Sequence, residues 1–473
     1  MLFHTQQFLF FFAVVFALYW AMPWPRARVW LLVVASFYFY VSWNAWLAAL
    51  IGASAIVDYV LGRLIEGAAE PRRKLLLVFS ITWNLGQLAY FKYANFFLDS
   101  LAQLLSAAGL HPSLPTLSII LPIGISFYTF EAISYTVDVY RGRIPAERNL
   151  INFVLFITFF PRLIAGPIIR GRQFLPQVRR EKHWDWARLQ LGANFFLLGL
   201  IKKLVIADRL AVFVDPVYAN PAAYSSAAAW VAVFAYAIQI YCDFSGYSDM
   251  AVGLGHALGY KLPQNFRMPY FAPNIIELWG RWHISLTSWL RDYLFIPLKG
   301  WRPTRARLIW GVLITMTLCG LWHGARWTFV MFGLIHGCLL IGHHTFKNFA
   351  RRHPWLGDSL ASSPGTILRV CMTFCAFALT GVLFRAGNFP IAQTVFGRLL
   401  AFSPGEFFPQ SMSIFWSLMA IVFLAHLFMR FGLWEELWSR APAYARGFAY
   451  ASALSLCLML SPDAGKAFIY FQF

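Results

Sequence analysis

Long apolar runs separated by short polar stretches make up almost the whole chain. A membrane-spanning helix needs about 20 predominantly apolar residues, and the apolar positions predict twelve segments of this kind: Phe8–Met22, Val29–Val41, Ala45–Leu61, Leu75–Leu98, Leu117–Tyr140, Leu189–Val214, Ala227–Leu258, Leu308–Leu321, Trp327–Gly342, Ile367–Leu383, Met412–Phe431 and Phe448–Leu460. Several runs are short for a simple crossing, which indicates tilted, broken or re-entrant pieces packed against other protein. The pattern predicts an all-α polytopic membrane protein with about 11 to 13 transmembrane or re-entrant helices.

The basic residues in the polar stretches indicate which ends of the runs face the cytoplasm. They occur in alternate stretches, at Arg26, Arg28, Arg63, Arg72, Arg73, Lys74, Arg141, Arg143 and Arg148. The stretches Asp99–Thr116 and Asp215–Ser226 contain no Lys or Arg. The positive-inside rule then places the basic stretches in the cytoplasm, so Asn149–Arg188 is expected to enter and leave on one side. No basic residue precedes the first run, which we expect to be an uncleaved span with an external N-terminus.

The composition agrees with this assignment and argues against other classes of protein. Only 12% of the 473 residues are charged, whereas a soluble domain has about a quarter. We therefore expect one membrane domain over residues 1–473, surrounded by membrane lipids and without a soluble appendage. The net charge is +19, but the basic residues are dispersed between apolar runs, which argues against a nucleic-acid partner. The six cysteines show no CxxC pair and no metal-ligand spacing.

Several ionisable residues lie inside apolar runs, where charge is costly and such residues are candidates for function. Glu131 and Asp138 are seven residues apart and share a helical face, which fits a structural hydrogen-bond network or a substrate contact. A second group lies in a run that glycines are expected to break, and its members are Asp243, Ser245, Asp249 and His256. The last three share a face, which would either orient a substrate or hold two helices together.

His323 is the most informative single residue. It lies in the string LCGLWHGARW, between Gly320 and Gly324. Glycines on both sides allow another backbone or a ligand to come close. Histidine is also the side chain best suited to proton transfer near neutral pH. On residue chemistry alone, a buried structural histidine explains the pattern equally well.

Three other histidines carry weaker signals. The segment Asn274–Asp292 is predicted to be one amphipathic helix at the membrane interface, with a polar face formed by Arg281, Ser285, Ser288 and Asp292. On this helix His283 shares a face with Thr287 and Arg291. His336 and His343 share a face of a later helix, but no carboxylate lies near them in the sequence, so no metal site is predicted. Walker A, dinucleotide-binding and GxSxG motifs are absent.

Longer strings in the sequence carry a family resemblance. They are LPIGISFYTFEAISYTVDVYRG, FFPRLIAGPIIR, YCDFSGYSDMAVGLGHALGY, NFRMPYF, ELWGRWHISLTSWLRDYLFIPL, GLWHG and the terminal FIYFQF. In this order they resemble the membrane-bound O-acyltransferase (MBOAT) family, and specifically its bacterial branch with the alginate O-acetyltransferase membrane protein and the D-alanyl transfer protein of teichoic acid. The resemblance implies a ring of tilted helices around a central funnel or tunnel. It divides the chain into N-terminal helices (1–140), a catalytic core (141–345) and C-terminal helices (346–473).

The resemblance also implies which residues carry the reaction. The family's near-invariant histidine matches His323, and its second motif histidine matches His283. His323 would take the proton of an acceptor hydroxyl while an acyl thioester is attacked, and His283 would orient the donor or polarise its carbonyl. A covalent acyl-histidine intermediate stays open. Further candidates for substrate or tunnel contacts are Asp243, Ser245, Asp249, Glu131, Trp322, Arg281 and Arg291.

The family's bacterial branch further implies the donor, the partner and the location. We expect no bound cofactor, acetyl-coenzyme A as the acyl donor, and a periplasmic SGNH-type transferase as partner. We expect the chain itself to lie in the bacterial inner membrane. The acetyl group would be taken from the cytoplasmic donor and delivered across the membrane, and the partner would place it on an alginate-like exopolysaccharide or peptidoglycan. A basic run would either attract the donor's phosphates or only reflect topology, and it contains Arg162, Arg170, Arg172, Arg179, Arg180, Lys182 and Arg188.

Three alternatives compete with this hypothesis. D-alanyl transfer from a carrier protein belongs to the same reaction class. A transporter of acyl groups or polymer would use the histidines only as pore lining, although no inverted repeat is recognisable in the sequence. A scaffold for a polymer synthase would need no chemistry at all. The enzymatic hypothesis requires that a cavity reach His323.

Overall fold

The computed structural model describes residues 1–110, 113–460 and 468–469, and in these residues the regular structure is helical apart from one isolated bridge between Tyr224 and Glu406. The helices are α1 Gln6–Ala21, α2 Pro25–Val41, α3 Ala45–Gly67, α4 Arg72–Leu88, α5 Ala94–Ala107, α6 Ile125–Tyr140, α7 Leu150–Thr158, α8 Gly171–Arg179, α9 Trp186–Leu200, α10 Asp208–Ala219, α11 Ser226–Ala257, α12 Ile275–Arg281, α13 Ile284–Leu290, α14 Ile296–Lys299, α15 Arg305–His323, α16 Trp327–Arg351, α17 Pro354–Ala361, α18 Ser363–Arg385, α19 Phe389–Leu400, α20 Met412–Arg430, α21 Leu433–Arg440 and α22 Ala443–Leu460.

Seven helices in the described part of the chain are long and apolar enough to cross a membrane, namely α3, α11, α15, α16, α18, α20 and α22. Helix α1 is a shorter apolar helix. An apolar segment in a lipid environment must satisfy its own backbone hydrogen bonds, and a helix does so within the segment. The prediction of an all-α polytopic membrane protein is confirmed. Two residues of the predicted external loop, 111 and 112, and residues 470–473 of the string FIYFQF lie outside the described residues.

The chain forms two compact units. The first comprises residues 1–196 and 248–263, and in it α3, α4 and α6 pack against one another. The second comprises residues 197–247 and 264–473, and in it α15 packs along α16 and α16 packs against α18. The ring around a funnel and the three sequence segments stay predictions.

Two of the predicted runs contain π-helical turns. Residues Ala89–Tyr93 join α4 to α5, and residues Ile201–Ala207 join α9 to α10. A π-helical turn inserts an extra residue into a helix and is frequent at functional sites. The second of these turns carries Lys203, which is buried.

Three predicted helices are corrected by the structure. The run Leu117–Tyr140 is helical only from Ile125, because Pro115 and Pro122 lack an N–H and disfavour the helical conformation of the residue before them. The run around Asp243 is not broken by its glycines, since α11 is continuous. Gly253 instead allows close packing, because a Cβ there would lie 2.5 Å from the carbonyl oxygen of Gly192.

The third correction concerns the predicted interfacial helix Asn274–Asp292. It breaks into α12 and α13, because Trp282 is extended and His283 has a left-handed backbone with φ of 42°. The common polar face predicted for this segment therefore does not form. The face predicted to join His283 with Thr287 and Arg291 does not form either, because His283 stands before α13 rather than within a helix.

Candidate functional site

His323 is the last residue of α15, at the tight connection to α16. A Cβ on Gly320 would lie 2.1 Å from the carbonyl oxygen of Phe329, and a Cβ on Gly324 would lie 2.3 Å from the Phe329 ring. On α16, a Cβ on Gly333 would lie 2.1 Å from the carbonyl oxygen of Met316. The close approach of another backbone, expected from the glycines beside His323, is confirmed, and it holds the histidine at the end of a rigid helix pair.

A partly open cavity of about 380 Å³, including its mouth, reaches the buried His323. The cavity is lined by Tyr236, Ala237, Ile240, Trp279, Trp282, His323, Phe332, Phe377, Gly381 and Phe384. The wall is mainly aromatic and aliphatic, and the ionisable side chains in it are those of His323 and Tyr236. The requirement that a cavity reach His323 is therefore met.

His283 lies beside His323 but is not among the residues that line the cavity. The two imidazole centroids are 6.4 Å apart, and the Trp322 ring lies 5.9 Å from that of His283 and 5.1 Å from that of His323. His283 is fully buried, and the Phe244 ring packs on it at 4.6 Å. The structure places His283 and Trp322 behind the catalytic candidate rather than in the cavity.

The protonation state of His283 follows from its partner Asn265. The Oδ1 atom of Asn265 accepts the Ser285 backbone N–H at 3.2 Å, which identifies it as the carbonyl oxygen of the amide. Because His283 Nδ1 lies 3.1 Å from the same oxygen, Nδ1 must carry the hydrogen and donate it. Burial also lowers the pKa of His283 to about 3, so the ring is neutral. Sequence reasoning missed Asn265, although it lies in the string NFRMPYF.

The other residues proposed from the central motif do not line the cavity. Arg281 forms an ion pair with Glu277 at 2.8 Å and donates to the carbonyl oxygen of Phe271 at 3.2 Å. Arg291 is exposed and pairs with Asp292 at 2.8 Å. The break between α12 and α13 disrupts both predicted faces, the one that Arg281 was expected to share with Ser285 and the one that Arg291 was expected to share with His283.

The Asp243 carboxylate belongs to a buried ionic cluster. Its Oδ1 lies 2.7 Å from Lys203 Nζ, and its Oδ2 accepts the backbone N–H of Ile469 at 2.9 Å. Lys203 also pairs with Asp208 at 2.9 Å. Ser245 is buried, and its hydroxyl has no hydrogen-bond partner among the described residues. Neither Asp243 nor Ser245 lines the cavity, and Asp249 lies in the part of α11 that belongs to the first compact unit.

Glu131 lies within the first compact unit and forms a buried ion pair with Arg162. The same carboxylate accepts the backbone N–H of Ile169 at 3.1 Å. Arg162 is thus buried and paired, so it is not accessible to the donor's phosphates, which the basic run was expected either to attract or to leave unbound. Arg179 of that run pairs with Glu147 at 2.6 Å.

The aromatic residues that line the cavity were not predicted from the sequence. Tyr236, Trp279 and Phe377 lie on three different helices, and no local pattern marks them as neighbours. The described residues contain no group of three or more His, Cys, Asp or Glu placed to hold a metal ion.

Comparison with known proteins agrees with these features. The family model described as "MBOAT, membrane-bound O-acyltransferase family" matches residues 2–385. The probable alginate O-acetylase AlgI of Azotobacter vinelandii is 41% identical over 85% of this chain and 78% of its own length. The peptidoglycan O-acetyltransferase of Helicobacter pylori is 33% identical over 84% of this chain and 79% of its own. The teichoic acid D-alanyltransferase of Bacillus subtilis is 28% identical over 56% of this chain and 68% of its own.

A family match that starts at residue 2 and includes both histidine motifs covers most of the chain. It agrees with the seven long apolar helices found among the described residues and with the cavity at His323. The chain therefore belongs to the membrane-bound O-acyltransferase family and is a multi-pass membrane O-acyltransferase.

Proposed function

We propose that this enzyme moves an acetyl group from a cytoplasmic donor across the membrane for O-acetylation of a cell-envelope polysaccharide through a periplasmic partner, with His323 as the general base. The observation that carries the proposal is the position of this imidazole at a partly open, mainly apolar cavity. The names of the relatives, an alginate O-acetylase and a peptidoglycan O-acetyltransferase, support acetyl as the cargo. Acetyl-coenzyme A is the proposed donor, a periplasmic SGNH-type transferase the proposed partner, and the bacterial inner membrane the proposed location.

The chemistry follows from what an imidazole does in such a cavity. His323 takes the proton of the acceptor hydroxyl as its oxygen bonds to the thioester carbonyl carbon. The carbon–sulfur bond then breaks, and the imidazolium returns the proton to the departing thiolate. Two reactants held together in a small cavity react with a much lower entropic barrier. The aromatic wall keeps water away, which protects the thioester from hydrolysis.

We propose that His283 acts as a positioning residue rather than on the donor itself. Its neutral ring is held by Asn265, and it packs behind Trp322 and His323. A fixed neutral ring in this place restricts the orientations open to the Trp322 side chain and, through it, to the catalytic imidazole. This role replaces the contact with the donor carbonyl expected from the family motif.

The test is transfer by purified enzyme in liposomes supplied with acetyl-coenzyme A labelled in its acetyl group. Label that becomes ester-linked to a hydroxyl acceptor supports the proposal. D-alanyl transfer is the second candidate, supported by the Bacillus subtilis relative, and a parallel reaction with a D-alanyl-loaded carrier protein distinguishes the two. Movement of an intact donor or polymer across the liposome membrane without any acyl turnover would favour a transporter instead.

Gly381→Ala should change which acyl groups the enzyme accepts. Gly381 lines the cavity, and a Cβ there would meet only the Tyr236 ring, at the ordinary distances of 3.6 and 3.8 Å. The fold should therefore tolerate the methyl group, which occupies cavity space. One methylene in such a pocket is worth about 10- to 200-fold in rate, so we expect propionyl transfer to fall at least about tenfold more than acetyl transfer. The measurement is kcat/KM for both thioesters.

Gly342→Ala is the matched control for this substitution. Gly342 lies in α16, and a Cβ there would meet nothing within 4 Å. It does not line the cavity. Equal effects of Gly381→Ala on acetyl and propionyl transfer would show that the acyl group binds elsewhere.

A further inference from the structure

A further buried histidine, His336, lies next to the cavity and has no part in the proposed acyl transfer. It is fully buried on α16. Its Nδ1 lies 3.3 Å from the indole Nε1 of Trp279 on α12, and its Nε2 lies 3.0 Å from the hydroxyl of Thr380 on α18. One imidazole thus joins three helices of the second compact unit.

The directions of these hydrogen bonds follow from the chemistry of the partners. An indole nitrogen only donates, so Nδ1 of His336 must accept and carries no hydrogen. In a neutral imidazole Nε2 then carries the hydrogen and donates it to the Thr380 hydroxyl oxygen. The Thr380 hydroxyl in turn donates to the carbonyl oxygen of Phe377 at 2.9 Å. The result is a one-way chain from Trp279 through His336 and Thr380 to the backbone at Phe377.

Both ends of this hydrogen-bond chain belong to the cavity wall. Trp279 and Phe377 line the cavity, and so does Gly381, which follows Thr380 in the sequence. The Phe332 ring, also in the wall, packs edge-on against the His336 imidazole with centroids 4.4 Å apart. One imidazole therefore contacts an indole, a phenyl ring and a helical turn of the wall, and two of these three contacts are hydrogen bonds.

We propose that His336, held as the neutral tautomer with its hydrogen on Nε2, is a positioning residue that sets the shape of the acyl cavity. A proton on Nδ1 would place two N–H groups face to face and release the Trp279 indole. An indole without this partner has other orientations open to it, some of which widen the cavity. The inference rests on the proposed function for its effect on acyl choice, but the hydrogen-bond chain itself is independent of that function.

Thr380→Val tests the chain with little change in side-chain shape. The valine removes the acceptor of the Nε2 hydrogen, which then stays buried without a partner. We expect kcat/KM for acetyl transfer to fall about 5- to 20-fold and the ratio of propionyl to acetyl transfer to rise, because a buried donor left without an acceptor costs more than the loss of an ordinary hydrogen bond. Thr380→Ser keeps the hydroxyl and should restore both quantities.

Thr373→Val is the matched control. Thr373 lies on the same helix and is 8% exposed, as is Thr380. Its hydroxyl donates only within the helix, to the carbonyl oxygen of Arg369 at 2.8 Å. If Thr380→Val lowers the amount of folded enzyme but leaves the acyl ratio of the remaining enzyme unchanged, His336 is merely structural and the proposal is overturned.

A second measurement does not depend on any activity. The enzyme is labelled with 5-fluorotryptophan, and the ¹⁹F resonance of Trp279 is assigned by its disappearance in Trp279→Phe. We expect this resonance to shift in His336→Phe and in Thr380→Val, but not in Thr373→Val. If the resonance shifts but the wild-type enzyme transfers no acetyl group, the proposed function is refuted and the hydrogen-bond chain is retained. If the resonance is unchanged in both His336→Phe and Thr380→Val, the hydrogen-bond chain itself is refuted.

Discussion

His323→Gln should lower acetyl transfer by about 10²- to 10⁴-fold, the contribution typical of a well-placed general base. Glutamine is similar in length to histidine and keeps a polar tip, so the packing of α15 against α16 should survive. It has no basic nitrogen, so the acceptor hydroxyl keeps its proton and stays a poor nucleophile. The measurement is kcat for labelled acetyl transfer by purified enzyme in liposomes, divided by the amount of folded protein.

His426→Gln is the control for this prediction. His426 is a buried histidine on α20, its Nδ1 lies 2.9 Å from the carbonyl oxygen of Val422, and it does not line the cavity. This variant should keep a kcat within about threefold of the wild type, since the loss of one ordinary hydrogen bond is worth about that factor. If His323→Gln retains more than a tenth of the wild-type kcat, another group takes the proton.

Lys203→Met should cause the largest loss of stability. Lys203 lies between the carboxylates of Asp208 and Asp243, at 2.9 and 2.7 Å. Methionine has a similar volume but no charge, so two buried carboxylates lose their shared cation. Removing one partner of a buried ion pair costs about 3–5 kcal/mol. We expect most of the variant to be lost during expression, and a clearly lower thermal unfolding midpoint for what can be purified in detergent.

Two further variants separate charge from packing. Lys202→Met makes the same change one residue earlier, where the side chain is only partly buried and its Nζ lies 5.6 Å from the centre of the Tyr241 ring. This control should unfold within a few degrees of the wild type. Adding Asp243→Asn to Lys203→Met removes one uncompensated charge and should recover part of the loss. A Lys203→Met protein as stable as the wild type would contradict the role assigned to the cluster.

The cluster also shows how candidate site residues can be misjudged from the sequence. Asp243 and Glu131 stand inside apolar runs, which makes each a candidate for a substrate contact. Their cations, Lys203 and Arg162, lie 40 and 31 residues away in the chain. No helical periodicity spans such distances, so the ion pairs become visible only when the helices are packed.

The break in the predicted helix at His283 also depends on a residue that is distant in the sequence. The segment from Asn274 to Asp292 has the periodicity of one helix, but its backbone turns left-handed at His283. The turn brings His283 and Ser285 to the amide of Asn265, which lies 18 residues before the histidine. The hydrogen bonds made to this amide hold a conformation that local helical propensity does not favour.

The amino-acid sequence by itself determined the membrane class, the positions of most spans and the family, and it predicted His323 as the catalytic candidate. These properties are local, because an apolar run in lipid must form its own backbone hydrogen bonds and a motif is read along one stretch of chain. Only the tertiary structure decided which residues form the cavity wall around that imidazole, namely Tyr236, Trp279, Phe377 and Gly381. It also placed His283 behind the imidazole and paired Asp243 and Glu131 with cations elsewhere. The neighbours of a residue on other helices depend on how whole helices pack, and the periodicity of a single helix shows which face is apolar but not which helix will cover it.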